Sequence, residues 1–110
     1  MILKEFSLEG SVAVVAGAGR SWLKTLASHL AEAGANVALA SQDQKQMEEA
    51  IHEVKRWGRG AMAVTTDLTS YQQIERMASM VISQWGKIDI LVNSIDLQFA
   101  KPFLEITDEE

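Results

Sequence analysis

The sequence has no cysteine, one proline and one tyrosine in 110 residues. Without cysteine there are no disulfides, no thiolate metal ligands and no cysteine nucleophile. Positive charge is also sparse. No basic cluster exceeds two residues and the net charge is −5, which argues against a nucleic-acid partner. No apolar run approaches the roughly 20 residues needed to span a bilayer, so no membrane partner is expected. Met1 to Phe6 is too short, and with Lys4 and Glu5 too charged, to read as a signal peptide. The expected location is the cytoplasm. His29 and His52 fall within helical patterns, off the apolar stripes, and no metal-ligand spacing joins them. What is present is apolar content: 47% of the residues are hydrophobic. That suffices for one folded domain with a real core, here expected to span residues 1–110.

The apolar residues alternate between two periods. Val12–Ala16 is short and uninterrupted, as a strand buried on both faces should be. From Ser21 onward Leu23, Leu26, Ala27, Leu30 and Ala33 give a helix one apolar stripe, closed by Gly34. The cassette then recurs. Val37–Ala40 reads as a second strand. Ser41 or Asp43 can cap a helix with the stripe Met47, Ala50, Ile51 and Val54, closed by Gly58. Ala61–Val64 reads as a third strand. Thr69 with Gln72 fits a capping box before a third helix, whose stripe is Ile74, Met77, Ala78, Val81, Ile82 and Trp85, closed by Gly86. Ile88–Val92 reads as a fourth strand. This βαβαβαβ order predicts a Rossmann-like, doubly wound α/β fold with a parallel sheet and right-handed crossovers.

After Val92 the pattern breaks, and the only proline, Pro102, lies in that stretch. Thr107-Asp108-Glu109-Glu110 then reads as the start of a helix without its body. The expectation is an N-terminal part of a longer protein, with the C-terminal half missing; a frayed tail is the alternative.

The polar exceptions fall after the strands. They are Gly17, Gly19, Arg20 and Ser21 after the first, Ser41 and Gln42 after the second, Asp67 and Leu68 after the third, and Asn93 and Ser94 after the fourth. In an open parallel sheet ligands bind outside the carboxyl ends of the strands, near the point where strand order reverses. One crevice there would offer a dinucleotide N–H groups for pyrophosphate, polar groups at the ribose and an acceptor for the adenine amino group.

At these residues the chain resembles the short-chain dehydrogenase/reductase family over its whole length. Val14-Val15-Ala16-Gly17-Ala18-Gly19-Arg20 looks like the family's first strand and the start of its T-G-x-x-x-G-x-G loop. Ala33-Gly34-Ala35-Asn36-Val37 looks like the approach to its second strand, and Asp67-Leu68-Thr69 like the adenine-contacting D-V-T. Trp85-Gly86-Lys87-Ile88-Asp89-Ile90-Leu91-Val92-Asn93 looks like the run into N-N-A-G, and Pro102–Thr107 like the approach to the next helix. The resemblance implies an NAD(P)-dependent oxidoreductase, most like the 3-oxoacyl-reductase-like enzymes. It implies cofactor contacts at Gly17, Gly19, Arg20, Ser21, Trp22, Ser41, Gln42, Asp67, Leu68, Asn93 and Ser94. The family's catalytic serine and Y-x-x-x-K pair should lie beyond residue 110. The only tyrosine, Tyr71, is followed four residues on by Glu75, so the chain alone is expected not to transfer hydride.

The departures are specific. Ala16 stands where the family has threonine, and Ser21 and Leu23 replace its second and third glycines. Leu23 should push the helix off the sheet unless a neighbour shrinks, with Ala13 and Ala16 the candidates for that compensation. Ser94, Ile95 and Asp96 depart from N-A-G; Asn93-Ser94-Ile95 is similar to the enoyl-acyl carrier protein reductase branch. Several residues keep two readings. Arg20 meets an adenosine 2′-phosphate or is a surface arginine. Asp67 accepts from adenine or caps the turn before Thr69. Asn93 contacts ligand or brackets the fourth strand. A neutral Ser41–Gln42 pair does not choose between NAD and NADP, and with Arg20 leans to NADP. A degenerate, non-catalytic module acting in binding or assembly is the alternative function. An unpaired apolar edge on the fourth strand would favour self-association.

Overall fold

The computed structural model describes residues 7–17 and 22–94. Among them are β1 (Val12–Gly17), α1 (Trp22–Glu32), β2 (Asn36–Ser41), α2 (Gln44–Arg56), β3 (Ala61–Thr65), α3 (Tyr71–Trp85) and β4 (Ile90–Ser94). The strands form one parallel sheet in the order β3-β2-β1-β4. This is the doubly wound α/β architecture expected from the two alternating periods.

Strand alternation explains why β1 and β2 read as unbroken apolar runs. Ala13 and Val15 of β1, with Val37 and Leu39 of β2, face a core completed by Leu23, Ala27 and Ala31 of α1 and Met47, Ala50 and Val54 of α2. Val12, Val14, Ala16, Ala38, Ala40 and Val64 face the other side, where Met77 and Val81 of α3 cover them. Both faces of the central strands are thus buried, as a parallel sheet requires. β3 and β4 are the edges of the described sheet and are less covered: Ala63 and Leu91 are exposed.

Some boundaries move for identifiable reasons. The fourth strand begins at Ile90, not Ile88. Asp89 bonds to both backbone groups of Val12, its N–H donating to the Val12 carbonyl and its carboxylate accepting the Val12 N–H, and the ladder starts only with Ala13 opposite Ile90. Ile88 packs beneath α3 instead. The expected Thr69–Gln72 capping box does not form. The N-cap of α3 is Ser70, whose Oγ accepts the Gln73 N–H, because Thr69 is engaged by Asp67. Asp43, rather than Ser41, caps α2 by accepting the Gln46 N–H at 3.0 Å. Ile82, expected on the buried stripe of α3, is 49% exposed.

Gly34 follows α1 at φ +117°, and a Cβ there would lie 2.7 Å from the Glu9 backbone nitrogen. Only glycine allows both the positive φ and that approach. The Leu8 N–H donates to the Ala33 carbonyl at 2.7 Å and fastens the residues before β1 to the end of α1.

Candidate functional site

Because the strands are parallel, all their carboxyl ends lie along one edge of the sheet. From β1 the chain steps outward to β2 and β3, then crosses back to place β4 on the other side of β1. The reversal falls between β1 and β4, with α1 and α2 on one face and α3 on the other. That divergence opens the crevice where ligands bind in sheets of this kind.

The register sets which expected site residues share a level. Gly17, buried as the last residue of β1, is opposite Ser94, and Ala16 is opposite both Ala40 and Asn93. α1 begins at Trp22, so the positive end of its dipole faces the β1 exit. Gly19, Arg20 and Ser21 lie outside the described residues.

At the end of β2 the two expected ribose residues part. Ser41 is fully buried; its Oγ accepts the Asp43 N–H at 3.1 Å and its carbonyl accepts the Thr66 N–H at 2.9 Å. Its hydroxyl is thereby spent on the turn, and only the Gln42 side chain is exposed there. Thr66 is buried as well, and its hydroxyl donates to the Val64 carbonyl at 2.9 Å.

After β3, Asp67 builds a tight turn. Its Oδ1 accepts from the Thr69 hydroxyl at 2.6 Å and from the Thr69 N–H at 2.9 Å. The Thr69 hydroxyl, then its N–H, hold the Asp67 carboxyl below the ordinary carboxylate value. Asp67 therefore does cap this turn, and it does so with one oxygen. Leu68 and Asn93, distant in sequence, line a single groove with Ala16, Val14, Met77 and Leu91, about 140 Å³ in volume. The structure thus brings Leu68 and Asn93 together on one groove, with Asp67 next to Leu68 in the chain.

Two contributors escaped the sequence reading. Gln73 accepts the Asp67 N–H through Oε1 at 2.7 Å, and Thr66 ties the end of β3 to β2. A six-residue return from a helix to a preceding turn matches no local template, so the sequence carried no signal for Gln73. Tyr71 opens α3, is 59% exposed and has Glu75 one turn on, with no lysine in that place. Among the described residues no group of three His, Asp or Glu side chains is placed to hold a metal ion, and no helix is long and apolar enough to cross a membrane.

The family profile described as short chain dehydrogenase matches residues 11–110. The chain belongs to the short-chain dehydrogenase family. It is 33% identical over 105 residues to a hydroxynaphthalene reductase-like protein, Arp2, of Metarhizium majus, covering 94% of this chain and 39% of that protein. Among solved structures it is similar to a hydroxysteroid dehydrogenase from Escherichia coli, with TM-score 0.78 and 33% identity over 93% of this chain and 43% of the other. It is also similar to an NAD+-bound xylitol dehydrogenase, with TM-score 0.67 and 31% identity over 80% of this chain and 33% of the other. The chain thus spans about two fifths of the length of the curated short-chain dehydrogenases it matches, 39% and 38% in two of them.

Proposed function

We propose that this chain is the NAD(P)-binding N-terminal part of an oxidoreductase of the short-chain dehydrogenase family. The parent would move hydride between nicotinamide and a small carbonyl or hydroxyl substrate. The observation that carries the reading is the β1/β4 switch point, with Gly17 at its base and Leu68 and Asn93 on its groove.

The described residues fit such a cofactor chemically. Ala16 and Leu68 supply apolar surface for a base, and among the described residues Asp67 Oδ2 has no partner and is available to accept from the adenine amino group. Gln42, exposed at the end of β2, would meet the adenosine ribose, with Ser41 shaping the turn beneath it. Asn93 and Ser94 would flank the cofactor from β4. Gly19, Arg20, Ser21 and the start of α1 at Trp22 would receive the pyrophosphate, and Arg20 the 2′-phosphate of NADP. The bound cofactor would supply the hydride; this chain's residues bind and orient it.

Calorimetric titration of the chain with NADPH and NADH tests the reading. Binding of both is expected, NADPH more tightly. Arg20→Ala should cut the NADPH affinity roughly tenfold, on the scale of one charge-assisted hydrogen bond, and leave NADH unchanged. No heat with either dinucleotide at millimolar concentration would overturn the cofactor reading in favour of a non-catalytic binding or assembly module.

A further inference from the structure

We propose that Gln73 is a positioning residue for recognition of the adenine base, acting through the Asp67–Leu68 turn; this rests on the cofactor reading above. Every polar group of Asp67 but one is committed. Its N–H donates to Gln73 Oε1 at 2.7 Å. Its carbonyl accepts the Ser70 N–H at 2.9 Å. Its Oδ1 accepts both Thr69 donors. Among the described residues only Oδ2 is left without a partner, next in the chain to Leu68 on the groove.

Gln73 goes beyond what a helix start needs. In a reciprocal capping box the third helical residue returns its side chain to the N–H of the cap residue itself. Here the Ser70 N–H is already given to Asp67, and the Gln73 side chain reaches three residues further back, to the Asp67 N–H. Its own N–H still donates to Ser70 Oγ at 3.3 Å. Gln73 therefore ties Asp67 itself directly to α3, whereas Thr69 and Ser70 hold Asp67 from within the turn, with Ser70 also capping the helix. With α3 packed on the sheet through Met77 and Val81, the fastening fixes Asp67 relative to β1 and β4. Without the acceptor, the Asp67 N–H turns to water, and the turn, with the carboxylate that Thr69 still holds to it, loses this fastening to α3, while Asp67 keeps its charge.

The test compares affinities of the chain for the adenine dinucleotide and for its hypoxanthine counterpart, in which a carbonyl oxygen replaces the amino donor. Oδ2 favours the donor, so the unchanged chain should prefer adenine by about tenfold, the scale of one hydrogen bond to a charged group. Gln73→Met, on an exposed position and close in length, should reduce the preference to about twofold or less while the circular dichroism of the helices is retained. Gln73→Glu keeps an acceptor and should keep most of the preference. Full preference in Gln73→Met would show that Gln73 serves only the helix start. Loss in Gln73→Glu as well would overturn the acceptor role. If the unchanged chain fails to discriminate the two bases, the base reading of Asp67 falls, and this inference with it; that outcome is distinct from discrimination that survives the substitution.

Discussion

Asp89 shows how one side chain closes an element that backbone bonds alone leave open. Its Oδ2 accepts the Val12 N–H at 2.8 Å and lies 3.1 Å from Lys87 Nζ. The Val12 N–H first, and Lys87 second, hold its carboxyl below its ordinary value of 3.8. A carboxyl depressed in the folded chain stabilises the fold above its unfolded value, and the contribution is lost as pH falls from about 3.8 through the lower folded value. Asp67, depressed by Thr69, has the same sign. Asp89→Asn is therefore expected to flatten, but not abolish, the acid-side fall in stability. Urea unfolding from neutral pH down to about pH 3 reads this. Because the Asp89 side chain is 36% exposed, the change should be small. An acid limb identical to that of the unchanged chain would show that the bond to Val12 contributes nothing.

At the scale of elements, α1 decides what the altered glycine loop means. Leu23 was expected to push this helix outward unless a neighbour shrank. It is 1% exposed and belongs to the core between α1, α2 and the sheet. Ala13 lies in that same core and is one of the two expected compensations; Ala16 faces α3 and is not the other. Ala27, Ala31 and Ala35 add further small side chains to that core. Leu23 is thus built into the fold. Leu23→Ala should lower the unfolding free energy by about 3 kcal/mol, the usual cost of emptying a buried leucine site. Denaturant titration measures it, and the affinity of the folded fraction for NADPH should not change. Tighter binding in the variant would show instead that Leu23 holds α1 away from the pyrophosphate. The helices and strands were legible because apolar periodicity is local, and Asp67, Leu68 and Asn93 were legible as polar or irregular positions after apolar runs. The inward turn of the Ser41 hydroxyl, the Ser70 cap and the return of Gln73 to Asp67 were not. Each depends on which of several adjacent hydrogen-bonding residues wins a competition that only the folded turn settles.

At the scale of the whole molecule, the sheet is covered unevenly. β1 and β2 are buried on both faces, whereas among the described residues β4 pairs with β1 alone and carries Leu91, 63% exposed. Leu91 shares the face of Val14 and α3, where it borders the groove that also includes Leu68 and Asn93. Ile82 of α3, 49% exposed, adds apolar surface on the same helix. A strand edge with free backbone groups beside exposed apolar side chains is a template for pairing with another chain. The 110-residue chain is therefore expected to self-associate reversibly as its concentration rises, which sedimentation equilibrium would follow. Leu91→Lys should shift that equilibrium toward monomer, because an ammonium resists burial at a pairing edge, and at an exposed position it should leave folding stability within about 0.5 kcal/mol. A chain that stays monomeric at the highest accessible concentration would show that β4 is protected. Association that the lysine leaves unchanged would place the contact elsewhere on the surface.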